Sequence, residues 1–458
     1  MKLYNSLTRT SEEFKSRLKG KVSMYTCGPT VYQFAHIGNF RAYMTSDILV
    51  RQLKHNGYEV NFVMNITDVG HLVSDEDTGE DKLEKSAKKE GKTAWEVAEF
   101  YTEAFLEDYK ALHLTQPEVL AKATDHIQEQ IELIKKLEEN GLTYVITDGV
   151  YFDTALLKSY GKLSTLDQIK EGARVEVNTE KHNPRDFALW KFSPQDEQRQ
   201  MEWESPWGKG FPGWHIECSA MSMKYLGETL DIHTGGVDHI SIHHTNEIAQ
   251  SEGATHKKFV NTWIHTAFML VAGEKMSKSK ENTYRLYDLE KQGYTPMQLR
   301  YLYLNAHYRQ EMNFTFPALD ASKNALEHLQ NIIVKMREGE TGSTEHEEQF
   351  FAALDDDLNT PQAVAVMWDM LKAPISDEQK LHSLLKMDDI LGLGLREYYE
   401  ATAGKPVDVP QEVMDLIELR RQARKSKQFI QADHLRNKIK KLGFDIQDTD
   451  SGIEIKKL

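Results

Sequence analysis

Two short segments, far apart in the chain, combine residue types suited to handling phosphate. One is Ala35-His36-Ile37-Gly38-Asn39; the other is Lys275-Met276-Ser277-Lys278-Ser279. Gly38 permits close backbone approach just ahead of a predicted helix, whose free N–H groups can bind a phosphate. His36 can donate a hydrogen bond to a phosphate oxygen as charge builds in a transition state. Lys275 and Lys278, among small hydroxyl residues and after Gly273, describe a mobile basic loop. Such a loop can close on a leaving pyrophosphate and neutralise its charge. Either segment alone reads equally well as an ordinary turn. Together, in this order, they describe an ATP-activation site.

A second group points to metal. The chain has two cysteines, Cys27 and Cys218, and neither belongs to a CxxC pair. Taken singly, each reads as a small buried hydrophobe. Zinc accepts thiolate, imidazole and carboxylate ligands, usually four. His243 and Glu247 are spaced i,i+4, which places them on one helix face. His233, His239 and His244 lie close by in sequence. Spacing does not choose between His243 and His244 as a ligand.

These residues must be positioned by a scaffold. Residues 22–26 read as a strand, 40–55 as a helix ended by Asn56-Gly57, and 58–66 as a second strand. That is a βαβ unit, which favours a parallel sheet. Cys27, Gly28, His36 and Gly38 fall in the loop at its carboxyl edge, where open α/β sheets bind ligands. The stretch 72–93 reads as a charged loop leading to an exposed helix. Residues 94–140 read as amphipathic helix, and 141–213 as mixed and loop-rich. Strand signals return near 229–233, 259–264 and 267–271. The expected fold is therefore α/β, a parallel sheet interrupted by an insertion and then resumed. From about 318 the pattern is helical, with polar linkers at 338–346 and 400–411; residues 443–457 suggest a small hairpin.

At 458 residues the chain suggests two to four domains. The absence of a signal-like apolar region or a bilayer-spanning run argues against secretion and membrane insertion, and the cysteine usage favours a reducing cytoplasm. The net charge of −15 argues against general nucleic-acid affinity. The sign reverses between Arg420 and Lys441, where nine basic residues face one acid, Asp433, a pattern suited to RNA contact.

The two phosphate-handling segments resemble the HIGH and KMSKS elements of class I aminoacyl-tRNA synthetases. The chain as a whole is similar to the cysteinyl-tRNA synthetases. The resemblance is carried by Tyr25–Tyr32, Asn65-Ile66-Thr67-Asp68, Asp186 with its neighbours, Pro212–Met221, Asp231-Ile232-His233 with Gly235-Gly236, and Asn246–Gln250. The Gln431-Ala432-Asp433 region completes it. The resemblance implies a Rossmann-like catalytic domain over 1–120 and 214–316 and an inserted connective region over 121–213. It further implies a DALR-like helical bundle over 317–399 and a small anticodon-binding module over 411–458.

The resemblance also implies site roles. Cys27, Cys218, His243 and Glu247 would hold one zinc ion. Gly28, His36, Gly38, Asn39, Gly236, Asp238, Lys275 and Lys278 would bind ATP, with His36, Asn39, Lys275 and Lys278 catalytic. Thr67, Trp214 and His233 would surround the substrate L-cysteine. ATP with magnesium and a cysteine-accepting tRNA follow as partners; with no long heptad or exposed strand repeat to suggest self-association, the sequence favours a monomer. Serine differs from cysteine by one atom, and an apolar pocket could not reject it by the ~10⁴–10⁵ that translation needs. A metal that prefers thiolate offers a physical route to that discrimination.

Three departures from the family pattern stand out. Asn39 replaces the second histidine of HIGH, Val69-Gly70-His71 follows Asp68 where an acidic run is common, and Lys280-Glu281-Asn282 lacks a glycine before the asparagine. Two other readings share much of this site: a ligase that passes activated cysteine to an amino-sugar, and an inert RNA-binding paralogue. The basic C-terminal segment speaks against the first; intact His36, Lys275 and Lys278 speak against the second.

Overall fold

The computed structural model describes residues 1–70, 81–164, 178–194, 199–276, 282–403, 409–449 and 452–457. Two compact units emerge, Met1–Glu397 and Tyr398–Leu458.

The first unit opens with a hairpin, β1 (Lys2–Asn5) and β2 (Thr10–Glu13), and then enters a parallel sheet. Strand β3 (Lys21–Thr26) leads through a loop to α1 (Ile37–His55) and back to β4 (Glu59–Ile66). Helices α2 (Lys82–Glu90) and α3 (Ala94–Ala111) follow, then β5 (Val119–Lys122) and α4 (Ile127–Glu139). A four-stranded antiparallel sheet comes next: β6 (Thr143–Ile146), β7 (Gly149–Phe152), β8 (Phe187–Phe192) and β9 (Gly210–Pro212). The chain then returns through α5 (Trp214–Leu226), β10 (Leu230–Gly236), α6 (His243–Thr255) and β11 (Val260–Thr266). The parallel sheet has the order β11–β10–β3–β4–β5. The expectation of an interrupted and resumed parallel sheet is met.

The sequence explains most of this. Strand β4 carries Phe62, Val63, Met64 and Ile66 in a nearly continuous buried run, as a strand covered on both faces requires. Helix α1 begins at Ile37 rather than at 40, because His36 caps it. The His36 side chain accepts from the Asn39 N–H, while Asn39 Oδ1 accepts from the His36 N–H at 3.0 Å. This reciprocal capping box satisfies two otherwise orphaned donors.

One expectation fails. Residues 94–140 are not a helical run: β5 lies between α3 and α4 and pairs with β4 from Val63↔Val119 to Ile66↔Lys122. Four residues are too short for a period to register, and it is pairing with β4 that makes them a strand. Residues 141–213, read as mixed, contain the antiparallel sheet. Its buried Val150, Phe152 and Trp190 join Trp263 of β11 in one hydrophobic core.

After β11 come β12 (Met269–Val271), β13 (Glu274–Lys275), α7 (Leu286–Glu290), α8 (Pro296–Leu304) and β14 (Met312–Phe314). The helical stretch consists of α9 (Phe316–Ile333), α10 (Thr344–Asp355), α11 (Thr360–Lys372), α12 (Asp377–Leu391) and α13 (Leu395–Thr402). Its α12 is tied to α1 through Arg300 of α8. Arg300 of α8 is fully buried; it donates to Asp47 of α1 at 2.5 Å, to the Leu112 carbonyl at 2.8 Å and to the Leu391 carbonyl at 2.6 Å. Among the described residues, no helix is long and apolar enough to cross a membrane.

The second unit contains α14 (Gln411–Lys425), α15 (Phe429–Lys441) and the hairpin β15 (Phe444–Thr449) and β16 (Gly452–Lys457), as the sequence suggested. Val413, Ile417, Ile439, Phe444 and Ile446 form its core. The linear count of nine basic residues against one acid needs correction here. Arg420 is buried in a two-point pair with Asp448 (2.9 and 2.8 Å), which also pairs with Arg424. Arg436 and Lys440 face Asp445, and Arg421 faces Glu418. The hairpin supplies acids that lie outside the window counted in the sequence. Lys425, Lys427, Lys438 and Lys441 remain exposed.

Candidate functional site

Parallel strands deliver their carboxyl ends to one edge. Residues following β3, β4 and β10 therefore meet there, and a cavity of about 420 Å³ opens at that edge. His36, Gly38 and Asn39 line one wall. Thr67, Trp214, Cys27, Cys218 and His243 line the floor, and Gly236, Asp238 and Lys275 complete it.

At the helix end of the cavity, the capping box decides the chemistry of His36. Its Nδ1 accepts from the Asn39 N–H at 3.3 Å, so the ring proton sits on Nε2 and is available to donate. Burial holds this imidazole below its ordinary range, against a smaller upward pull from its own backbone and from Asp238. A neutral histidine with a fixed tautomer suits phosphate donation near pH 7. Asn39 spends its carbonyl oxygen on the cap and keeps its amide N–H₂ for a ligand.

Gly28 has a structural reason to be glycine. Its N–H donates to Asn65 Oδ1 at 2.7 Å, and an added Cβ would lie 1.7 Å from the Asn65 carbonyl oxygen. A Cβ at Gly38 would meet the flexible end of Met276 at 2.2 Å and the edge of the His36 ring at 3.1 Å.

Lys275 lies in a tight hairpin between β12 and β13. The turn residues Ala272 and Gly273 both have positive φ (50° and 84°), as a two-residue hairpin turn requires. The Lys275 ammonium sits 3.9 Å from the centre of the Phe268 ring. Lys278, Ser277 and Ser279 lie outside the described residues.

The floor holds a buried donor cluster. Cys27, Cys218, His243 and Glu247 each offer an atom within 4.8 Å of the others, and all four are buried. Cys27, His233, His244 and Glu247 satisfy the same condition. The two groups share Cys27 and Glu247, so both histidine assignments left open by spacing are geometrically available. They differ in access: Cys27, Cys218 and His243 line the cavity, whereas His233 and His244 stand behind it.

The charges on the floor are strongly coupled to one another. Burial pushes the Glu247 carboxyl up, but His233 (2.9 Å) and His243 (3.0 Å) outweigh it and hold it well below the usual carboxylate range. Cys218 is held down to about 7 by the Cys27 hydrogen bond and by His243, although burial opposes this. His243 is pushed up to about 10: burial lowers it, but Cys218 and Glu247 dominate. Two thiols, an imidazole and a carboxylate form a donor set that fits a borderline-soft divalent metal.

Around these lie residues the sequence singled out, His233, His244 and Thr67, and others it did not, His215, Glu217, His265 and Ser6. His215 Nδ1 lies 3.0 Å from His243 Nδ1. His244 is linked to Cys27 Sγ at 3.2 Å, to His265 at 2.7 Å, and through His265 to Ser6 at 2.8 Å. Asn65 donates to Thr67 Oγ1, which donates to Glu217 at 3.1 Å. The available signal was the run Trp214-His215-Ile216-Glu217-Cys218, whose polar members all precede a ligand-type cysteine. His233 is fully buried, stacked on Trp263 at 4.5 Å, and off the cavity wall.

Comparison with known proteins agrees with this architecture. Residues 13–324 match the class I (C) tRNA synthetase catalytic-domain family, and residues 349–396 match the DALR domain. The cysteine–tRNA ligase 1 of Burkholderia lata is 47% identical over 98% of this chain and 95% of its own. The cysteine–tRNA ligase of Treponema denticola is 43% identical over the full length of both chains. Among solved structures, the methionyl-tRNA synthetase of Mycobacterium tuberculosis bound to methionyl-adenylate aligns at a TM-score of 0.55 and 14% identity, over 84% of this chain and 92% of its own. That last likeness speaks to the fold alone. With the family match covering most of the chain and near-full-length relatives at this identity, the chain belongs to the cysteine–tRNA ligase family of class I aminoacyl-tRNA synthetases.

Proposed function

We propose that this chain joins L-cysteine to its tRNA in two steps within the cavity, first as cysteinyl-adenylate and then as the tRNA ester. One observation carries the reading. A single cavity runs from a helix-capping His36 and a hairpin Lys275 to a floor that holds both cysteines of the chain with His243.

The substrate carboxylate attacks the α-phosphorus of ATP, and pyrophosphate leaves. His36 donates from Nε2 to a phosphate oxygen, Asn39 donates from its side-chain amide, and the N-terminus of α1 adds a favourable dipole. Gly236 and Asp238 border the nucleoside. Lys275, with Lys278 from the adjoining segment, stabilises the departing pyrophosphate, with magnesium carried by ATP. The 3′-terminal ribose hydroxyl of the tRNA then attacks the adenylate and releases AMP.

Cys27, Cys218, His243 and Glu247 are the proposed ligands of one zinc ion, because this group carries two thiols and opens on the cavity. Zinc held there supplies a centre that prefers a thiolate ligand to a hydroxyl, the basis for choosing cysteine over serine. Thr67 and Trp214 shape the pocket for the rest of the amino acid. His233 acts through Glu247, which it holds ionised and oriented.

The test is transfer of labelled cysteine to a cysteine-accepting tRNA transcript, with serine as control. Charging with cysteine alone is expected. Cysteine-dependent pyrophosphate exchange without charging would point to another acceptor; absence of both would reject the reading.

A further inference from the structure

Beside the cavity runs a basic, aromatic face that the activation of cysteine does not use. Residues 82–92 hold five lysines against two glutamates, in a chain of net charge −15. Lys82, Lys85 and Lys89 stand at i, i+3 and i+7 on α2, which puts them on one face. The same face meets the cavity rim. The Lys82 ammonium lies 5.6 Å from the Tyr32 ring centre, and Ser86, one turn on, donates to the Tyr32 carbonyl at 3.0 Å. Past the helix, Lys92 sits 4.3 Å from the centre of the Phe100 ring.

Aromatic rings line the rim between these cations. Phe34 packs edge-on against Tyr101 (4.9 Å) and Phe100 (5.8 Å), and the Arg285 guanidinium lies 4.8 Å from its ring centre. Phe34 is 37% exposed and Phe100 42%, each with a cation, Arg285 or Lys92, over its ring. Tyr32, Phe34, Lys82 and Tyr101 border the same cavity as His36. The acids alongside are engaged: Glu90 by Tyr101 and Lys92, and Asp288 by Arg285.

Exposed rings alternating with cations are the pattern that binds single-stranded nucleic acid, through base stacking and phosphate contact. We propose that this face receives the unpaired 3′ end of the tRNA, with bases stacked on Phe34 and Phe100 and phosphates met by Lys82, Lys85 and Lys89. The face continues into the cavity where the ribose hydroxyl must arrive. The inference rests on the proposed transfer to tRNA. It gives α2 a role in the second step alone.

The test uses the full chain, a cysteine-accepting transcript, and the same transcript lacking its unpaired 3′ nucleotides. Phe100→Ala is expected to weaken binding of the full transcript about tenfold, the order of one lost base stack, and to leave the truncated transcript unaffected. Lys85→Gln with Lys89→Gln is expected to reduce the salt dependence of full-transcript binding, by about 0.7 in log–log slope per lysine. Pyrophosphate exchange needs no tRNA and reports an intact fold in each variant. Equal weakening of both transcripts, or of neither, overturns the inference while wild-type charging upholds the ligase reading. Failure of the wild type to charge any transcript overturns both.

Discussion

Glu247 Oε1 lies 3.0 Å from His243 Nε2, one helical turn earlier on α6, while its other oxygen lies 2.9 Å from His233 Nε2 on β10. One carboxylate thus holds a proposed metal ligand on the cavity side and a buried imidazole behind it. This arrangement separates the two histidine assignments by experiment. His243→Ala is expected to abolish zinc binding to the purified chain. His244→Ala removes a partner of the Cys27 sulfur and is expected to weaken zinc by about 10–100-fold without abolishing it. Metal content after dialysis against a graded chelator decides; the reverse ranking would move the site to the group containing His244.

Cys218→Ser keeps the size of the side chain and removes a soft donor. It is expected to lower zinc content and to raise serine-dependent pyrophosphate exchange relative to cysteine. Unchanged metal together with unchanged serine rejection would sink the role of Cys218.

His36 has two roles, and they can be pulled apart. As a phosphate donor it should contribute about 10²–10³ to the rate of adenylate formation. As the N-cap of α1 it contributes on the order of 1 kcal/mol of stability. His36→Asn can still cap the helix, so it is expected to hold the melting temperature close to wild type and to lose most of the single-turnover activation rate. Retained activation would leave His36 a structural cap only.

Asp47 and Arg300 form a fully buried pair between α1 and α8. Burial alone would raise the Asp47 carboxyl, but Arg300, Arg51 and the Thr115 hydroxyl reverse it, and its net shift is downward. A lowered carboxyl contributes stability above its ordinary value of about 3.9 and loses it as pH falls through the folded value. Asp47→Asn is therefore expected to cost about 3–5 kcal/mol at pH 7. The difference from wild type should shrink as pH drops below about 4. Urea midpoints measured across pH test this; a difference that stays constant down to pH 3 contradicts it.

Gly28→Ala is expected to destabilise by at least about 1–3 kcal/mol, since the new methyl would strike backbone at Asn65. Gly38→Ala should be much milder, because its Cβ meets side chains only, the flexible end of Met276 and the edge of the His36 ring. Comparable losses in thermal unfolding for both variants would refute the contrast.

Much of the site was legible in the sequence because it rests on short-range rules. The i,i+4 spacing of His243 and Glu247, the βαβ pattern around 22–66 and the glycine beside His36 need nothing beyond neighbouring residues. Two cysteines in a chain of this length also drew attention to themselves. The structure then showed what spacing does not hold. The His36–Asn39 capping box turns a sequence motif into a fixed tautomer, and β5 becomes a strand only because β4 pairs with it.

The basic count after Arg420 shows the opposite case, where linear reading overstated the charge. Arg420 and Arg424 are answered by Asp448, and Arg436 by Asp445, acids that the hairpin folds back onto the helices. By itself the sequence determined residue chemistry and local periodicity, hence the α/β pattern, both segments proposed to handle phosphate and the pool of metal-type donors. Only the tertiary structure decided which donors meet, which histidines face the cavity and which charges are already paired. Those are distances between strands and helices far apart in sequence, fixed by sheet order and core packing, and no local rule along the chain encodes them.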